Sequence, residues 1–191
     1  MSSRAARLAG ATLLAAGAAA GCTSTVTGTA SPAGGGGGPS SVQEYDYAVG
    51  QEHVTSGVDY AESPPVGGPH DPSWADCTGT VYDVDIRHEN AVHSLEHGAV
   101  WVTYDPDLLS DGDVATLAAL VDGVPYRMMS PYTGLGRPVS IQSWNHQLAT
   151  DSVDDPRLEA FAQEFTQNPG TTPEPGATCE NPAFLADPET A

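Results

Sequence analysis

Apolar and polar residues along this chain fall into runs whose spacing predicts a succession of elements from residue 99 onward. "AVWVTY" at 99–104 is a short apolar run rich in β-branched and aromatic residues, the pattern of a buried strand. "SDGDVATLAALVDG" at 110–123 places Val114, Leu117, Leu120 and Val121 on one helical face, with Ser110 positioned to cap it and Gly123 to stop it. "PYRMMS" (125–130) and "RPVSIQSW" (137–144) predict two further strands. "DDPRLEAFAQEFTQN" (154–168) predicts a second helix that turns Leu158, Phe161 and Phe165 inward. The order β-α-β-β-α predicts an α+β fold: a small antiparallel sheet with two main helices on one face.

The residues before this core carry no such period. Residues 50–87 are dense in turn-formers, and "SPPVGGPHDPSWADCTGT" alone holds four prolines and three glycines. A long irregular N-terminal segment is therefore expected to wrap over the sandwich, and such segments in compact domains often carry function. Residues 22–44 include "TSTVTGTASPAGGGGGPSSVQ", which cannot bury a core and reads as a flexible linker. The globular domain is expected over 45–184, followed by a short C-terminal tail at 185–191.

The first 21 residues pair a basic start, Arg4 and Arg7, with the apolar run "LAGATLLAAGAAAG". The run is too short to span a bilayer and is placed as a signal peptide would be. "AAAGC" fits lipoprotein cleavage before Cys22, although Ala19 stands where a leucine is commoner. The expectation is an extracytoplasmic domain anchored to the cell membrane by lipid on Cys22, or secreted if unlipidated. With Cys22 so used, Cys77 and Cys179 remain as a pair for a disulfide in an oxidising compartment. That bond would close a loop of about a hundred residues and contribute about 4 kcal/mol by chain entropy.

Composition sharpens the partner classes. Twenty-five acidic residues face six arginines and no lysine, for a net charge of −19. Nucleic acid and anionic lipid headgroups are repelled by such a surface, whereas a cation is attracted.

Candidate chemistry concentrates in "HENAVHSLEHGAVW", where three of the six histidines lie within ten positions. On a helix, His93 and His97 share a face at about 5–6 Å between Cβ atoms, a spacing that chelates one ion. Glu89 lies one turn earlier on that face, while Glu96 is expected to point elsewhere. His70 sits in the stiff turn "GGPH", and His53 heads the same irregular segment. Met128 and Met129 are adjacent on a strand, so one is expected to face the core and one to face out, and Met129 is the candidate thioether partner of the imidazoles. Thioether with imidazole leans towards copper. The competing reading fixes the histidines as a buried polar network and the methionines as core filling.

Three blocks, "PPVGGPHDPSWADCTGTVYD", "ENAVHSLEHGAVWVTYDPDL" and "SPYTGLGRPVSIQSW", resemble the bacterial family known as domain of unknown function 3105. The resemblance runs over nearly all of residues 50–180. It implies an exported or membrane-anchored domain and brings no established activity. It also implies histidine at the positions of His53, His70, His93 and His97, and not at those of His88 and His146. Gly67 departs from the pattern, standing where a Ser-Gly pair is commoner.

Three functions follow. The first is a lipoprotein with a histidine-lined copper site at His53, His70, His93 and His97, with Met129, serving sequestration, delivery or redox chemistry. The second is a zinc hydrolase, in which "HSLEH" reads as H-x-x-E-H with Glu96 as general base and Glu159 or Glu164 as third ligand. The third is a non-enzymatic envelope module with structural histidines and an unknown protein partner. No G-x-S-x-G elbow and no phosphate-binding glycine loop occur in the sequence. Trp74, Trp101 and Trp144 read as core anchors.

Overall fold

The computed structural model describes residues 42–191. The signal peptide, Cys22 and nearly all of the linker lie outside the described residues. The elements in chain order are β1 (Gln43–Glu44), β2 (Thr78–Val81), α1 (His88–Glu96), β3 (Val100–Tyr104), α2 (Asp111–Ala118), β4 (Arg127–Pro131), β5 (Val139–Ser143), β6 (His146–Thr150), α3 (Pro156–Phe165) and α4 (Pro182–Ala186). The strands form one sheet in the order β1-β6-β5-β3-β4-β2. Among the described residues no helix is long and apolar enough to cross a membrane.

The fold is α+β, but the sheet is mixed where an antiparallel one was expected. β1, β6, β5 and β3 pair antiparallel, whereas β4 runs parallel to both β3 and β2. The physical reason is α2. It carries the chain from the end of β3 back to its start, and a return of this kind delivers the next strand in the same direction. β5 and β6 meet instead through a tight two-residue turn, Trp144 and Asn145, with Asn145 at a φ of 63°.

Strand alternation divides the core in two. Val100, Val102, Met129, Val139 and Ile141 face Leu117, Val121, Leu158 and Phe161 from α2 and α3. Trp101 and Met128 face the other way, into a core built from α1 and the irregular segment, including Val92, Leu95, Ala75, Cys77 and Ile86. A disulfide joins Cys77 to Cys179 across 102 positions and holds the last irregular stretch against this second layer. Asp76 reinforces it, accepting hydrogen bonds from both Thr78 and Thr80 hydroxyls at 2.6 Å and from the Asn181 backbone at 2.8 Å.

Candidate metal centre

α1 is a helix of polar residues placed in the interior. Every residue from Glu89 to Glu96 is buried, so its polar side chains must find partners within the protein. Asn90 Nδ2 donates to the Ser73 carbonyl at 2.8 Å and Ser94 Oγ to the Ala75 carbonyl at 2.7 Å, zipping the irregular segment onto the helix. At its end, Gly98 adopts a φ of +92°, and a Cβ there would come within 2.8 Å of Thr172 and 2.9 Å of Gln167. Only glycine fits this stop. The helix therefore ends abruptly, with the donors of His93, Glu96 and His97 in its last turn.

The irregular segment brings the remaining donors. Gly67 lies under Tyr47, whose ring a Cβ would strike at 2.8 Å, so this close-packed turn fixes the backbone just before His70. His70 and His53 form a parallel bridge in which Val54 N donates to His70 O at 2.7 Å and His70 N to Glu52 O at 3.2 Å. Arg87 ties the assembly from outside, reaching Asp71 at 2.7 Å, Glu89 at 3.1 Å and the Thr55 carbonyl at 3.2 Å.

One donor atom from each of His53, His70, His93 and Glu96 lies within 4.8 Å of every other, so the four side chains form a group able to hold a metal ion. The three imidazoles stand with ring centroids 4.8 to 4.9 Å apart. His70, Glu96 and His93 are 0, 2 and 5 % exposed, while His53 opens to solvent.

Hydrogen bonding fixes which nitrogens are bare. His70 Nδ1 donates to the Gly68 carbonyl at 2.8 Å, and His93 Nδ1 donates to the Asp71 carbonyl at 2.6 Å. A carbonyl only accepts, so in each ring the proton sits on Nδ1 and the lone pair on Nε2. Metal-bound histidines are oriented by this same contact from the opposite ring nitrogen. His70 Nε2 and Glu96 Oε2 approach to 2.9 Å, an ion-pair distance. Among the described residues, His70 Nε2 and Glu96 Oε1 are buried and have no other hydrogen-bond partner. With a neutral His70 ring two electron-pair donors face one another, an arrangement that a cation between them, whether a proton on Nε2 or a metal ion, stabilises.

Charge regulation agrees. Burial pushes the His93 imidazole down to about 4, with His97, His70 and His53 adding to the effect against the Asp71 contact, so the ring is neutral and able to ligate at pH 7. Burial alone would raise the Glu96 carboxyl, but His70, followed by His93 and His53, holds it below its ordinary value. His97 is also lowered, first by burial.

The other candidates lie apart from this group. His97 packs against His93 at 4.6 Å between centroids and against Trp74 at 5.0 Å. Its Nδ1 donates to the Thr178 carbonyl at 2.8 Å, and its Nε2 lies 3.7 Å from Glu174, so it faces the disulfide-bound stretch. Met129 is buried in the α2–α3 core on the far face of the sheet, because alternation sends it opposite to Met128. His88 stacks on Tyr132, and His146 packs on Phe165. Glu159 accepts from Gln163 at 2.7 Å and lies 3.9 Å from Arg127. Glu96 was expected either to point away from the shared face or to act as general base beside a zinc ion, not as a ligand; the structure gathers it with the imidazoles. The spacing permits this, since a residue three positions from His93 shares its face as closely as one four positions away, but it does not say which way α1 is rotated. The H-x-x-E-H reading needs His93 and His97 on the ion and Glu96 off it; the gathered set is instead His93 with Glu96.

A family model described as "Protein of unknown function (DUF3105)" matches residues 53–181, a stretch that contains all four gathered side chains and both disulfide cysteines. No curated protein and no solved structure matches the chain.

Proposed function

The chain belongs to the DUF3105 family, and from its centre we propose that it binds one divalent transition-metal ion outside the cytoplasm, through His70, His93, Glu96 and His53. The observation that carries this reading is the convergence of three imidazoles and a carboxylate, with His70 and His93 locked by backbone carbonyls in the tautomer a metal needs. Ligands at about 2.1 Å from one ion stand about 3.4 Å apart in a tetrahedron, so the widest donor pairs, up to 4.8 Å apart, draw inward while His70 and Glu96, at 2.9 Å, open slightly.

This donor set suits zinc, copper(II), nickel and iron(II). With no thioether in the group, the case for copper rests on the divalent ion, which heads the affinity order for nitrogen and oxygen sites. Copper(II) is the proposed cargo and zinc the alternative. Four protein ligands around one ion favour holding and handing over the metal, because a catalytic site keeps a position open for water or substrate. The lipoprotein-type start, the linker and the acidic composition support a tethered domain that gathers cations at the outer face of a membrane. The disulfide fits the same oxidising compartment.

Titration of the purified domain with copper(II) and with zinc tests the reading. One equivalent is expected in the wild type. Glu96→Gln is expected to weaken binding by more than the roughly tenfold to a hundredfold that loss of a ligand's outer-shell partner costs, with the fold intact. A zinc hydrolase using Glu96 as base predicts the opposite pattern: zinc retained and turnover lost. Undiminished affinity in a His70→Ala/His93→Ala variant ends the metal reading.

A further inference from the structure

The four donors are held unequally. Moving His70 breaks a bond to the Gly68 carbonyl, and moving His93 breaks one to the Asp71 carbonyl. Glu96 is fixed by its place in the last turn of the buried α1, whose backbone oxygen there accepts from Glu174 N at 3.0 Å. Each of these three is at most 5 % exposed.

His53 differs in every respect. It is exposed, and its neighbours Glu52, Thr55 and Ser56 are exposed with it. Its ring lies stacked on His93 at 4.9 Å with a 20° interplanar angle and edge-on to His70. Among the described residues no hydrogen bond fixes that ring. Its backbone is held on either side by the Glu52 and Val54 bonds to His70, so the side chain can swing away without unfolding the segment. The site thus has a rigid, buried floor of two imidazoles and a carboxylate, and one solvent-facing donor whose departure costs only its ring contacts with His70 and His93.

Building on the metal reading above, we propose that His53 is the exchange ligand of the centre. The ion stays on His70, His93 and Glu96 while His53 yields its coordination position to an incoming imidazole or carboxylate donor from an acceptor, and the metal leaves by stepwise ligand substitution. At each step one bond from the metal to this chain breaks, to a histidine nitrogen or finally to the Glu96 oxygen, and one bond from the metal to the acceptor forms. No change of oxidation state is required. The reverse sequence loads the site.

The test compares copper(II)-loaded wild type, His53→Ala and His93→Ala, each challenged with nitrilotriacetate while the copper absorption band is followed. His53→Ala is expected to hold one copper and to release it at least about tenfold faster than wild type. Free imidazole, which can fill the opened position, is expected to slow that release back towards the wild-type rate. His93→Ala is expected to hold no stoichiometric copper. If His53→Ala loses copper as completely as His93→Ala, His53 belongs to the floor and the proposal fails. It fails equally if the release rate is unchanged, or if imidazole does not slow the faster release. In those cases the wild type still binds and the metal reading stands. A wild type that binds no copper overturns both.

Discussion

His93 joins every part of the centre. It donates to the Asp71 carbonyl, stacks on His53 and borders both His97 and Trp74. Its depressed pKa of about 4 gives a pH signature for the metal-free protein. Between about 4 and the ordinary histidine value near 6.5, the unfolded chain binds the proton more readily than the folded one. Stability from this group is therefore fully present above about pH 6.5 and is lost as pH falls towards 4. The urea midpoint of the metal-free domain should drop between pH 7 and pH 5, and His93→Ala should make the drop shallower. Equal slopes in the two proteins would contradict this account of the ring. Residue-level chemistry was only half legible in the chain. The histidines stood out by type and spacing, whereas the inward turn of Glu96 depends on how α1 is rotated, and the placement of Met129 depends on the parity of β4. Neither rotation nor parity is written in a short segment with few apolar markers.

Among the elements, those with a long period were legible. α2 and α3 follow from apolar residues repeating on one face, and the capping box of Ser110 and Asp113 marks the start of α2. β6 escaped because "HQLAT" carries a single large apolar residue, Leu148, and its turn contains no glycine. The parallel placement of β4 escaped because strand patterns do not encode direction. Two predictions belong to this scale. Gly98→Ala combines a positive φ with contacts to Thr172 and Gln167 and should cost about 1–3 kcal/mol, read as a lower midpoint in thermal unfolding. A midpoint at the wild-type value would show that the end of α1 relaxes freely. Asp76 is held below the ordinary carboxyl range; burial opposes this, but the Thr78 and Thr80 hydroxyls and the Asn181 and Thr78 amides outweigh it. Its contribution is present above the unfolded value near 3.9 and is lost as pH falls through the lower folded value. Asp76→Asn should destabilise the domain at pH 7 and flatten the acid limb of its stability curve. An unchanged acid limb would place that pH dependence elsewhere.

At the scale of the molecule, the sheet separates two tasks. One face supports a conventional apolar core with α2 and α3. The other face supports α1 and the irregular segment, where polar side chains gather under a layer fixed by the Cys77–Cys179 disulfide and the Arg87 ion pairs. Closing a loop of 102 positions is worth about 4–5 kcal/mol. Cys77→Ser/Cys179→Ser should therefore unfold at markedly lower denaturant, and a midpoint within error of wild type would show that packing alone holds the last stretch. The claim on which the rest depends is that His70, His93 and Glu96, with His53, close around one ion. X-ray absorption at the copper edge of the untagged, copper(II)-loaded domain tests it most directly. The account predicts one copper per chain with three imidazoles among its nitrogen and oxygen neighbours at about 2.0–2.1 Å, and the loss of that signature in His70→Ala/His93→Ala. Copper bound with the same spectrum in both proteins would contradict it.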